Sequence, residues 1–271
     1  MPTVLSTPTI DPSTLSPGRR AALVDRLYEV QCAVFDGVDR ELLARYVVDS
    51  PAERTALRVY SDEDGCPVGY LALHFFEREL GDARALIIRG ESGFRREFRG
   101  RSTAIPFALR EMLGAGLRWH HGPAYFLACP VHPVSYWVLE RNVRTLYPHP
   151  KRRTPPAVES LICELADDFG LSPVDRADPF VRDVGWRTRE TETERQLWRE
   201  HPSEAVRYYL ARNPEYSAGR GLLTLIPRSA INIASALFNV GTRPLRRAWT
   251  RARRSSGCTP TRPLAGEAGA R

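Results

Sequence analysis

The run Phe94-Arg95-Arg96-Glu97-Phe98-Arg99-Gly100-Arg101-Ser102-Thr103-Ala104 is basic, rich in small residues, and set between an apolar stretch and a helical pattern. A loop of this kind opening a helix is suited to holding phosphate. The first backbone N–H groups of a helix lack partners, the helix field favours an anion there, and arginines add charge-assisted bonds. Just before the loop lies Glu91, beside Arg89. Its carboxylate could take a proton from an attacking amine, or pair with Arg89 or Arg95 as a plain surface acid. Further on, His132 precedes Pro133 at an expected strand-to-helix break. An imidazole there could serve as a base or orient a substrate, or only steady the turn. Ser135 and Tyr136 follow as hydroxyl donors. His74 alternates with apolar neighbours and could line a cleft or pack in the core. Cys129 reads as a buried strand end, because no base is positioned for it. His120-His121 has no acid at ligand spacing, so no metal is expected.

These groups need a frame. Apolar runs and turn residues predict strands at 55–60, 68–76, 83–89 and 124–129, with turns at Asp62-Glu63-Asp64-Gly65 and Gly81-Asp82. Helical periodicity predicts helices over 17–35, 40–48, 102–117 and 134–141, the first capped by Ser16 with Pro17 at its first position. This order gives an α/β arrangement with a mixed sheet. After a basic, proline-rich connector at 148–156, helices are expected over 158–169, 190–199 and 203–212, then a strand at 219–226. Residues 231–254 form a basic amphipathic segment interrupted by Pro244. Trp186, Trp198, Tyr208, Tyr209, Tyr216 and Phe238 make this half aromatic, as a second core region or as cover for an acceptor.

With 271 residues, 42% of them apolar, the chain can bury a substantial core. The net charge of +7 is misleading, because residues 241–271 hold eight arginines against one acid, Glu267. The preceding residues are formally neutral, so nucleic acid is not an expected partner of the body. Five cysteines, Cys32, Cys66, Cys129, Cys163 and Cys258, show no disulfide framework or zinc spacing. The polar, proline-rich start and the lack of a long apolar stretch point to a cytoplasmic setting.

The segments quoted above resemble those of the GNAT (Gcn5-related N-acetyltransferase) superfamily over roughly residues 17–148. The family loop reads Arg/Gln-x-x-Gly-x-Gly/Ala. Here Arg99 fills the first place, Ser102 stands where the first Gly is usual, and Ala104 fills the last, with Gly100, Arg101 and Thr103 at the variable positions. The later family segment reads Asn-Pro-x-Ala-x-x-x-Tyr. His132 stands for the Asn, Pro133 matches, Ser135 replaces the Ala, and Leu139 occupies the place of the Tyr that protonates the departing thiolate. The resemblance implies a central mixed, mostly antiparallel sheet flanked by helices, with an additional α-rich C-terminal region. The division it suggests is a flexible 1–16, an acyl-CoA-binding core at 17–148, an extension at 149–240 packed on it, and a basic mobile tail at 241–271.

The resemblance further implies acetyl-CoA or another acyl-CoA as co-substrate, with its pyrophosphate on the amides of 101–104. A small-molecule amine would be the acceptor, with Glu91, His132 and Tyr136 as candidate catalytic groups. A longer acyl chain, an acyl carrier protein as donor, a homodimer, and membrane contact through the basic tail are left open. So is a non-catalytic scaffold that binds CoA or a partner.

Overall fold

The computed structural model describes residues 3–99, 104–175 and 178–255, with side chains up to Thr242. In chain order, β1 (Leu5–Ser6) is followed by α1 (Pro17–Val34), β2 (Phe35–Asp36), α2 (Arg40–Leu43), β3 (Arg54–Ser61), β4 (Pro67–Leu80) and β5 (Ala83–Phe94). Then come α3 (Ala104–Arg118), β6 (Ala124–Ala128), α4 (Pro133–Asn142) and α5 (Pro156–Asp168). The chain ends in β7 (Val181–Asp183), β8 (Arg187–Thr188), α6 (Glu192–Arg199), α7 (Glu204–Arg212), β9 (Arg220–Leu222), β10 (Thr224–Pro227) and α8 (Ala230–Ser255).

The central sheet has six strands in the order β1-β3-β4-β5-β6-β10. Every neighbouring pair is antiparallel except β5 and β6. Alternation along the strands sorts side chains onto two faces. On one face α3 covers Ala56, Leu73, Phe75, Leu86, Ile88 and Ala124 with Phe107 and Ala115. On the other face α1 sets Leu23, Leu27, Val30 and Val34 against Leu57, Val59, Tyr70 and Ala72. Beside it Tyr136 of α4, Ile162 and Leu165 of α5 and Tyr209 of α7 close over Phe76, Ile87, Leu127 and Leu225. Burial of this apolar surface is the main stabilising term. The Ser16 cap forms as expected, its hydroxyl accepting from Arg19 N.

The structure adds to the sequence reading at four points. Leu5 and Ser6 pair with Ser61 and Tyr60, and Ile10 bridges Leu57. These bonds cover the outer edge of β3, which would otherwise expose unpaired backbone groups. The stretch 219–226 is two strands in different sheets, because β9 pairs with β7 while β10 pairs with β6. The extension is therefore woven into the central sheet rather than packed on a finished core at 17–148. Finally, α8 continues past Pro244 to Ser255, where the sequence pattern suggested an interruption, the helix on each side tolerating the lost proline N–H. Cys258 and the tail from 256 onward lie outside the described residues.

Candidate active site

β5 is longer than its sequence pattern suggested. It pairs with β4 from Ala83 to Phe94, but with β6 only through Leu86↔Ala124, Ile87↔Tyr125 and Ile88↔Phe126. Beyond this point β6 turns toward the extension. The Pro130 carbonyl accepts from Leu222 N (3.0 Å) and from the Tyr209 hydroxyl (2.9 Å). Residues 89–94 thus keep β4 on one side and, among the described residues, pair with no strand on the other. An unpaired strand edge is a template for an extended ligand carrying amide groups. α3 follows the loop after β5, and β6 lies between β5 and β10 in the sheet.

The fold is a mixed α/β arrangement, a six-stranded, mostly antiparallel sheet flanked by helices.

No known family profile matches the chain, and no curated protein matches it. Among solved structures, similarity extends to a GCN5-related N-acetyltransferase from Kribbella flavida, at 10% identity and TM-score 0.33, covering 83% of this chain and 97% of that one. A chain of the NatC complex bound to Gag peptide and CoA gives 10% identity and TM-score 0.34, covering 83% and 99%. The IAA acetyltransferase from Bacillus cereus gives 12% identity and TM-score 0.29, covering 53% and 80%.

Glu91 sits within β5, on the face it shares with His74 and Arg89, since His74 lies opposite Arg89 and Ala72 opposite Glu91. His74 Nε2 lies 3.0 Å from Glu91 Oε2, an ion-pair contact between two buried atoms that otherwise have no hydrogen-bond partner among the described residues. His74 Nδ1 is 2.9 Å from Thr55 Oγ1 on β3. Arg89 approaches the other Glu91 oxygen at 3.7 Å and stacks over Phe169. Burial pushes the Glu91 carboxyl up, but His74 and then Arg89 outweigh it and hold the group below its usual range. It is an ionised carboxylate at neutral pH. Thr55 also lines a cavity of about 170 Å³ at the start of β3, with Asp11, Asp49 and Glu53. An incompletely bonded polar strip buried between two apolar clusters marks a site rather than a core.

The arginine-rich loop is described only at its ends; Gly100, Arg101, Ser102 and Thr103 lie outside the described residues. Arg99 is half-buried, its Nε donating to the Phe94 carbonyl (3.2 Å). Burial lowers its proton affinity, while Glu194 is the largest opposing influence. Glu194 also pairs with Arg96 at 2.6 Å. Its position is fixed by the capping box of α6, in which Thr191 Oγ1 accepts from Glu194 N and Glu194 accepts from Thr191 N. The extension thus sets a carboxylate against the basic loop. Nothing about the chemistry of Arg96 singled out this partner.

His132, read from the sequence as a base, a substrate-orienting group or a turn stabiliser, stands at the start of α4. It is the N-cap of α4, with Nδ1 accepting from Val134 N at 3.2 Å. The ring proton therefore belongs on Nε2, which lies 3.2 Å from Glu190 Oε2. With both nitrogens committed and only 4% of the side chain exposed, no lone pair is free for a substrate proton. Glu190, itself 2% exposed, also accepts from Tyr216 OH and Arg195 Nε, each at 3.2 Å. Burial raises the Glu190 carboxyl, but His132, Tyr216 and Arg195 together hold it below its usual range. Sequence reasoning missed this hub, since one acid preceding a charged helix carries no local signal.

Tyr136 follows within the same helix. It is fully buried, and its hydroxyl donates to the Pro148 carbonyl at 2.9 Å. Burial raises its pKa far above that of a free phenol. It anchors the loop after α4 and does not reach the β5 edge as a free acid. Cys129 is half-buried just after β6, and burial pushes its thiol up to about 12.

Proposed function

We propose that this chain is an N-acyltransferase that moves an acetyl or other acyl group from a CoA thioester to the amine of a small molecule. The observation that carries this is the free edge of β5 with the Glu91 carboxylate on it, running directly into the Arg96–Arg99 loop and α3. Arg99 and the segment Gly100, Arg101, Ser102, Thr103 and Ala104 bind the pyrophosphate. The backbone of residues 89–94 pairs with the pantetheine amides as an added strand would. Glu91 removes a proton from the ammonium form of the acceptor, the freed nitrogen attacks the thioester carbonyl, the C–S bond breaks, and CoA leaves as thiolate. Backbone N–H groups along the edge supply the donors that favour charge on the carbonyl oxygen. His74 and Arg89 keep Glu91 ionised, and His74 ties it to Thr55. With His132 and Tyr136 otherwise engaged and Leu139 apolar, the thiolate takes its proton from solvent.

The test is a screen of mixed amines with acetyl-CoA, longer acyl-CoA and acyl carrier protein as separate donors. Free thiol release and acylated products by mass spectrometry are the readouts, with Glu91→Gln as the control. A second reading, a CoA-binding protein without turnover, draws on Glu194 lying against Arg96. It is favoured if CoA binds while no donor is consumed.

A further inference from the structure

Beside α4, where Tyr136 donates to the Pro148 carbonyl and faces Tyr208, the basic connector lines a cavity of about 510 Å³. Its walls come from three parts of the extension: the loop His149–Thr154, Glu159 on the first turn of α5, and Phe180, Tyr208 and Arg212. The loop is pinned to the core. Tyr136 donates to the Pro148 carbonyl (2.9 Å), Tyr147 pairs with Leu225 across β10, Arg152 NH2 donates to the Arg144 carbonyl (2.7 Å), and His149 Nδ1 accepts from Lys151 N (3.0 Å). Arg212 is equally fixed, held by Asp178 and by Tyr208 OH while stacked over Phe180.

The cations are only partly spent. Lys151 pairs with Glu204 at 2.8 Å, but both side chains are largely exposed, and such pairs exchange at little cost. Among the described residues Arg152 donates to a carbonyl and forms no ion pair, though its charge acts on the nearby Glu140 carboxyl, and Arg153 forms neither a hydrogen bond nor an ion pair. Glu159 is the one acid in the lining. His149 senses the resulting field: burial, then Arg152 and Lys151, lower its pKa, against a weaker opposite pull from Glu204. Its other near neighbour is Glu140, at 4.0 Å.

We infer that this cavity is a second ligand site, separate from the β5 edge, that takes a small molecule bearing a phosphate ester or diphosphate. Its volume is in the range of small-molecule sites. Guanidinium and ammonium donors converging from a rigid loop suit a dianion with several acceptor oxygens better than a lone carboxylate.

His149 provides a reporter at the site itself, which separates binding here from binding to arginines elsewhere. The full chain is titrated with inorganic pyrophosphate at fixed ionic strength, and the imidazole resonances, assigned with His149→Gln, are followed against pH. Saturating pyrophosphate is expected to raise the His149 pKa toward the ordinary imidazole value, because a bound anion cancels the Arg152 and Lys151 field. The exposed double substitution Lys151→Ala/Arg153→Ala is expected to weaken this response about tenfold or more. Citrate is expected to bind about tenfold more weakly than pyrophosphate. Prior saturation with CoA is expected to leave the response intact. A His149 titration unmoved by millimolar pyrophosphate would overturn the site. So would full binding by the double variant, equal binding of citrate, or loss of the response when CoA is present.

Discussion

His132 Nε2 donates to Glu190 Oε2 across 3.2 Å, joining the first turn of α4 to the segment that begins α6. The same carboxylate takes Tyr216 and Arg195, so one buried acid holds the extension to the central sheet. Removing it leaves three donors without an acceptor. Glu190→Ala is expected to destabilise the protein by about 3–5 kcal/mol in urea unfolding, and Glu190→Gln by about 1–3 kcal/mol. The carboxyl titrates lower folded than unfolded, so between those values the unfolded chain binds more protons. Its stabilisation is present above the unfolded value, near 4.5, and is lost as pH falls through the folded one. The thermal midpoint of the native protein should therefore drop more steeply below that value than the midpoint of Glu190→Gln.

Tyr136→Phe separates anchoring from catalysis. The substitution strands the buried Pro148 carbonyl and is expected to cost about 1–3 kcal/mol. The rate of acyl transfer by the remaining folded protein should be unchanged. A rate loss of about 10²-fold with stability intact would restore the tyrosine as a proton donor.

The Glu91–His74 pair has a pH signature. Glu91→Gln is expected to lower the transfer rate about 10²-fold or more without changing CoA affinity. His74→Gln removes the strongest influences that hold the carboxyl down, while burial remains. The acidic limb of the pH–rate profile should then move to higher pH. Thr55→Val should move it in part, and Thr55→Ser should restore it. An unmoved limb in His74→Gln would show that the histidine only packs.

Glu194 and a phosphate compete for the same arginine. Glu194→Gln frees Arg96 and removes the acid nearest Arg99. CoA affinity, measured by calorimetry at low salt, should rise about three- to tenfold, and the gain should shrink as salt screens the loop. Weaker binding in this variant would assign Glu194 a supporting role instead.

Local chemistry made the hairpins, α1 with its Ser16 cap, and the loop opening α3 legible in the sequence, because each carries its signal within a few residues. β5 was read too short, since Gly90, Glu91, Ser92 and Gly93 break the apolar run even though β4 pairs with all of them. That shortfall set Glu91 after the strand when it lies within it. The insertion of β10 beside β6 and the Glu190 hub depend on residues far apart in sequence: Thr224 with Ala128, Glu190 with His132. His132 looked catalytic because a histidine at a strand-to-helix break suits either role. Only the positions of Val134 N and Glu190 decide that it caps.

The central claim is that the β5 edge and the loop after it bind acyl-CoA. Calorimetric titration of acetyl-CoA into the native protein and into Arg99→Ala tests it most directly. Saturable binding by the native chain, weakened about tenfold or more in Arg99→Ala, is the predicted result. No binding by the native chain, or equal binding by the variant, would contradict it.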